Sequence, residues 1–73
     1  MIERVTLKMQ AYNYLKKQII DGELKHDEIY TEQGFAEKLN ISRTPVREAV
    51  LQLAHEDFVA IKPNKGFITV LMM

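Results

Sequence analysis

Two short stretches of this 73-residue chain gather the side chains best suited to binding. The first is Ser42-Arg43-Thr44-Pro45-Val46-Arg47-Glu48. It offers two hydroxyls and two guanidiniums, and Arg43 and Arg47 stand four apart, so on a helix they share a face. The second is Lys62-Pro63-Asn64-Lys65-Gly66, a turn-forming run with two ammonium groups. Such groups donate to anions. An Arg fork takes guanine O6 and N7 together, while Ser and Thr meet phosphate oxygens or bases. A helix opening with them also turns its N-terminal partial positive charge toward phosphate. There is no nucleophile–base arrangement, glycine-rich phosphate loop or metal-ligand cluster beside them. His26 and His55 lie 29 residues apart with no third ligand at metal spacing, and Glu37 and Glu48 read as local helix partners. The residues therefore speak against an enzyme, and no cofactor or metal is expected in this chain.

The surrounding pattern supplies three helices and a hairpin to hold these groups. Thr6 is a candidate N-cap, and Leu7, Ala11, Leu15 and Ile19 then recur every four residues beside Tyr14, the apolar face of a first helix. Gly22 should stop that helix after about 15 residues. Residues 23–30 form a polar connector anchored by Leu24 and Ile29. Thr31 caps a second helix with Phe35, Ala36 and Leu39 inside, weakened by Gly34 in its first turn. Asn40-Ile41 makes a tight turn, and Ser42 caps a third helix over residues 42–55. Pro45 falls in its first turn, and Val46, Ala49, Val50 and Leu53 form its buried face. Two β-prone runs, 58–61 and 67–70, flank the Lys62–Gly66 turn as a hairpin. The aromatic side chains belong to the core or an interface, since a base-stacking site would cluster them with splayed bases. The fold class is mainly α with a small β-hairpin, in a single domain over residues 1–73.

Composition sets limits on this reading. Apolar residues make up 47% of the chain and charged residues 27%, the balance of a folded domain. Cysteine is absent, which excludes disulfides and cysteine-based zinc sites. No apolar run approaches the ~18 residues of a membrane helix, and the N-terminus does not read as a secretory signal. Residues 1–5 read as a loosely held start, and Val70-Leu71-Met72-Met73 as an exposed apolar tail. Ten bases balance ten acids, so the formal charge is zero. That excludes a diffuse polycation, yet the charge is uneven. Residues 38–52 hold three bases against one acid, and residues 62–66 two bases and no acid.

The motifs then become specific. Tyr14 through Leu24 (YLKKQIIDGEL) resembles the opening helix of the GntR family of bacterial transcription regulators, and Thr31-Glu32 resembles that family's Ser-Glu start of helix two. Phe35 through Val50 (FAEKLNISRTPVREAV) is similar to its strongest motif, in the form of the branch whose effector domain is all-helical. Asn64-Lys65-Gly66-Phe67 resembles its wing tip. The resemblance spans about residues 10–70. It implies a winged helix-turn-helix that binds double-stranded operator DNA, with the third helix in the major groove and the wing, residues 62–66, at the minor groove or backbone. By that resemblance the DNA-contacting positions are Ser42, Arg43, Thr44, Arg47 and Gly66. A further contact, usually Arg, falls on Gln33, and Gly34 follows where an acid is common. Gln can read adenine N6 and N7, but it cannot clamp phosphate as a cation does. Lys65 is expected at the backbone with Lys62 beside it, and Lys38 to be solvated. Asp57 replaces a glycine after helix three.

The resemblance also implies an effector-binding domain after the wing, outside this chain. It implies a homodimer for the full-length protein, a monomer or weak dimer for these residues alone, and a cytoplasmic, nucleoid-associated regulator that acts as a repressor. The alternative is a winged helix that binds protein. Such domains present a neutral, apolar third helix, whereas this one begins with two arginines.

Overall fold

A computed structural model describes residues 6–70; the expected loose start and most of the apolar tail lie outside them. Three helices, α1 (Leu7–Ile20), α2 (Glu32–Leu39) and α3 (Arg43–His55), precede two strands, β1 (Val59–Lys62) and β2 (Gly66–Thr69). The order is the one expected. The strand bounds shift by one residue, so the hairpin loop is residues 63–65.

The core follows from the helical spacing. Ala11, Leu15 and Ile19 on α1 meet Val46, Ala49, Val50 and Leu53 on α3, with Phe35 and Ala36 from α2 and Val59 and Phe67 from the sheet. Burying each large member of this set stabilises the fold by roughly 1.5–3 kcal/mol. Helix α3 is the centre, in contact with α1, α2 and β1. Leu7, expected on the buried face, is 47% exposed, because it stands on the first turn, ahead of the core that begins at Ala11. Among the described residues no helix is long and apolar enough to cross a membrane.

Each helix closes with a left-handed residue: Gly22 (φ 77°), Asn40 (φ 58°) and Asp57 (φ 68°). Behind each, the next residue's N–H reaches back over the last turn: Glu23 to the Gln18 carbonyl, Ile41 to Ala36 and Phe58 to Leu53, at 2.9, 3.0 and 2.9 Å. This satisfies carbonyls that the helix end leaves open and turns the chain sharply. Asn and Asp tolerate the conformation better than other side chains. The Asn40 turn is the one that sets α3 against α2.

The connector anchors differently from expectation. Leu24 is buried, but Ile29 is 50% exposed. The second anchor is Tyr30, which pairs with Phe67 as a one-residue third strand: each N–H donates to the other's carbonyl at 2.8 Å. Its ring lies against Phe35 and Phe67, with centroids 6.0 and 6.2 Å away, and its hydroxyl accepts from the Lys25 N–H. Strand β2 thus runs between Tyr30 and an antiparallel β1, in the register Val59↔Thr69 to Lys62↔Gly66. The hairpin loop closes with the Lys65 N–H on the Lys62 carbonyl at 3.0 Å. Pro63 and a positive φ at Asn64 (64°) give it the type II pattern.

Candidate nucleic-acid interface

Two threonines and a serine begin the three helices, and only the threonines cap by side chain. Thr6 Oγ1 accepts from the Met9 N–H at 3.1 Å, and Thr31 Oγ1 from the Gly34 N–H at 3.0 Å. Both bonds go to the third helical residue. At α3 that residue is Pro45, which has no N–H. Ser42 holds the cap position (φ −72°, ψ 168°) but makes no side-chain cap hydrogen bond. The expectation that its hydroxyl caps the helix is thus corrected: the donor it needs was removed by the proline. Pro45 itself is buried and Ser42 exposed, so the hydroxyl faces solvent at the helix start, together with the exposed Arg43 and Thr44.

One open groove of about 520 Å³ runs between the starts of α2 and α3 and the hairpin. It brings together Gln33 from α2, Arg43 and Arg47 from α3, and Lys62, Lys65 and Gly66 from the hairpin. Thr44 joins Glu32, Arg43 and Arg47 around a smaller adjoining hollow. Six of the seven expected site residues therefore line one continuous surface, and Ser42 stands exposed at the helix start without lining either hollow. The groove carries four bases and one acid, a net +3 within a chain of net zero. Leu51 and Ile61, 50% and 42% exposed, form an apolar part of its wall.

Individual side chains refine this picture. The Gln33 amide donates to a Glu37 carboxylate oxygen at 2.9 Å, which ties one of its donors to its own helix. Lys38 lies over the Phe35 ring, 5.9 Å from its centroid, on a different hollow between α1 and α2. It does not line the arginine groove. Gly66 has φ 141°, and a Cβ built there would overlap the Tyr30 carbonyl oxygen. The close approach this glycine permits is to the protein's own backbone.

Two residues that sequence reasoning passed over shape the surface. Tyr30 fixes the hairpin through its pairing with Phe67. Glu32, the first residue of α2, places a carboxylate oxygen 3.6 Å from the Arg43 guanidinium. The Thr31-Glu32 pair was legible as a helix start, but its contact with α3 needs the Asn40 turn to bring the two helix starts together. Away from the groove, Tyr12 on α1 donates its hydroxyl to Glu56, after α3. The bond holds the Glu56 carboxyl below its ordinary range and, with burial, pushes the Tyr12 phenol up. Among the described residues no cluster of His, Cys, Asp and Glu is arranged to hold a metal ion.

The chain has counterparts among known proteins. Residues 7–68 match the bacterial regulatory proteins of the gntR family. The chain is 36% identical over 66 residues to the HTH-type transcriptional regulator McbR of Escherichia coli, covering 90% of this chain and 30% of that protein. It is 36% identical over 59 residues to the uncharacterized HTH-type transcriptional regulator YdhC of Bacillus subtilis, covering 81% of this chain and 26% of that one. The solved structure of E. coli McbR/YncC superposes with a TM-score of 0.84 over 90% of this chain and 31% of that one, at 36% identity. A second structure, titled for Lar and its control of the Listeria monocytogenes agr system, gives a TM-score of 0.80 at 31% identity, over 93% of this chain and 32% of that one. The chain thus spans about a third or less of the length of these relatives. With a winged helix-turn-helix fold and a match over nearly its whole length, the chain belongs to the gntR family of bacterial regulatory proteins.

Proposed function

We propose that this domain reads a specific double-stranded operator, with the start of α3 in the major groove and the hairpin at the minor groove or backbone. The observation that carries the reading is the groove. In a chain without net charge, four cations from two separate segments converge on one surface, beside the exposed hydroxyls of Ser42 and Thr44. Arg43 and Arg47 take base edges, while Ser42, Thr44, Lys62 and Lys65 take phosphates. Gln33, held on one side by Glu37, keeps its carbonyl and one amide hydrogen for adenine. Gly66 acts by shaping the hairpin. A protein-binding winged helix would present a neutral third helix, and this surface is cationic.

In this reading the whole protein is a homodimer on a near-palindrome, with the domain described here monomeric or weakly dimeric by itself. An effector ligand binds outside these residues, and the regulator works in the cytoplasm at the nucleoid. Linking two half-site binders raises affinity through effective concentration. The test is selection of bound duplexes from a random pool by a dimerised form of the domain, followed by titration of Arg47→Ala. The variant is expected to lose roughly 1–3 kcal/mol on the selected sequence for a base contact. With four phosphates neutralised, the log–log salt slope should be roughly −3.6. Equal binding by parent and variant, or no binding to any duplex at low salt, would sink the reading.

A further inference from the structure

We propose that Glu32 is a positioning residue for DNA recognition: its carboxylate holds the Arg43 guanidinium ready for a base edge and keeps it from serving as a clamp for any phosphate. This rests on the DNA-binding reading above.

Glu32 is the one acid lining a groove of four bases, facing a polyanion in that reading. An acid there weakens attraction to every phosphate, so its place calls for a compensating role. Its side chain is only 24% exposed, against 64% for Arg43, so the carboxylate is the fixed partner and the guanidinium the reaching one. The separation of 3.6 Å is an ion pair rather than a hydrogen bond. It leaves the donors of the fork available to guanine O6 and N7. Arg47, one turn further along α3, has no such partner among the described residues. The two arginines thus differ: Arg47 is unrestrained, whereas Arg43 is oriented before it meets DNA. Restraint lowers the side-chain entropy lost on binding, and the nearby negative charge disfavours a phosphate in the same place. Both effects act on the ratio of specific to non-specific binding. An acid at a helix start also favours the helix through its dipole, and that role alone would leave the ratio unchanged.

The experiment uses the unfused chain and two labelled duplexes, the selected half-site and a scrambled sequence of equal composition, titrated at low salt. In Glu32→Gln, binding to the scrambled duplex should tighten, and the ratio should fall roughly two- to fivefold, the range of an exposed ion pair. In an Arg43→Ala background, Glu32→Gln should leave the ratio unchanged. Glu32→Asp, which keeps the charge, should hold the scrambled affinity at the parent value. The proposal is overturned if Glu32→Gln shifts both duplexes equally, or lowers only the unfolding midpoint. A parent chain with no preference between the duplexes overturns the DNA-reading assignment itself, a result distinct from an unchanged ratio in the variant.

Discussion

Replacing Gly66 with alanine should damage the fold more than any contact with DNA. Gly66 opens β2 opposite Lys62, at φ 141°. An added Cβ would overlap the Tyr30 carbonyl oxygen, and the Tyr30 backbone is itself held to Phe67 by two hydrogen bonds of 2.8 Å. Relief requires Tyr30 to move, so one or both bonds weaken, at ~0.5–1.5 kcal/mol each. The backbone strain of a side chain at that φ adds ~1–3 kcal/mol. The sum is ~1.5–6 kcal/mol, against the ~4–11 kcal/mol expected for a domain of this length. At about 4–8 °C per kcal/mol, the midpoint should fall by at least ~6 °C. Thermal and urea unfolding followed by far-UV circular dichroism measure it. Gly22→Ala is the internal control. It has a positive φ of 77° but nothing within 4 Å of the added carbon, so it should cost only the conformational part, ~1–2 kcal/mol. A Gly66→Ala chain as stable as the parent that nevertheless loses DNA binding would refute the reasoning, because it would make Gly66 a contact residue rather than a packing one.

The helix starts and one carboxylate give further expectations. Thr31→Ala should cost about 1 kcal/mol in urea unfolding, whereas Ser42→Ala should cost only a few tenths, because Pro45 leaves the serine without a cap bond. An equal loss in both would show that Ser42 caps after all. The depressed Glu56 carboxyl means that the unfolded chain binds this proton more readily than the folded one. Its contribution to stability is therefore complete above the ordinary carboxylate range and is lost as pH falls through the lowered value. Carboxyl NMR titration should show Glu56 returning toward its ordinary range in Tyr12→Phe; an unmoved titration would exclude the Tyr12 hydroxyl as the cause.

Local signals were strongest where one residue's chemistry decides the outcome. Gly22 at a helix end, Asp57 in the left-handed region and Pro63-Asn64 in the loop follow from backbone preference, and all are found where expected. The apolar spacing of α3 located its core face and, by exclusion, left Arg43 and Arg47 outside. Three features depended on relations across the chain. Tyr30 looked like one more residue of a polar connector, and only the arrival of β2 makes it a strand partner. Ile29 was the more apolar of the two neighbours, yet the sheet register turned Tyr30 inward. Ser42 matched every preference for a capping residue, and the conflict lay three positions away in a proline whose own place in the first turn is favourable. Each local rule was correct alone; their combination removed the hydrogen bond.

The neutral charge gains its meaning from this geometry. A surface of net +3 backed by a remainder of −3 has little field beyond the ~8 Å screening length of physiological salt. In the proposed reading, long-range steering of these residues toward DNA is therefore weak, and discrimination comes from groups within contact distance. Such a design benefits from limiting unproductive phosphate binding, since every non-specific duplex competes with the operator. Removing the acid from the groove would raise its charge to +4, strengthen the attraction to phosphate and free the Arg43 guanidinium to serve it on any duplex. Keeping it beside Arg43 gives up some of that general attraction and, where the guanidinium is oriented for a base, concentrates what remains on the sequences that present the matching edge.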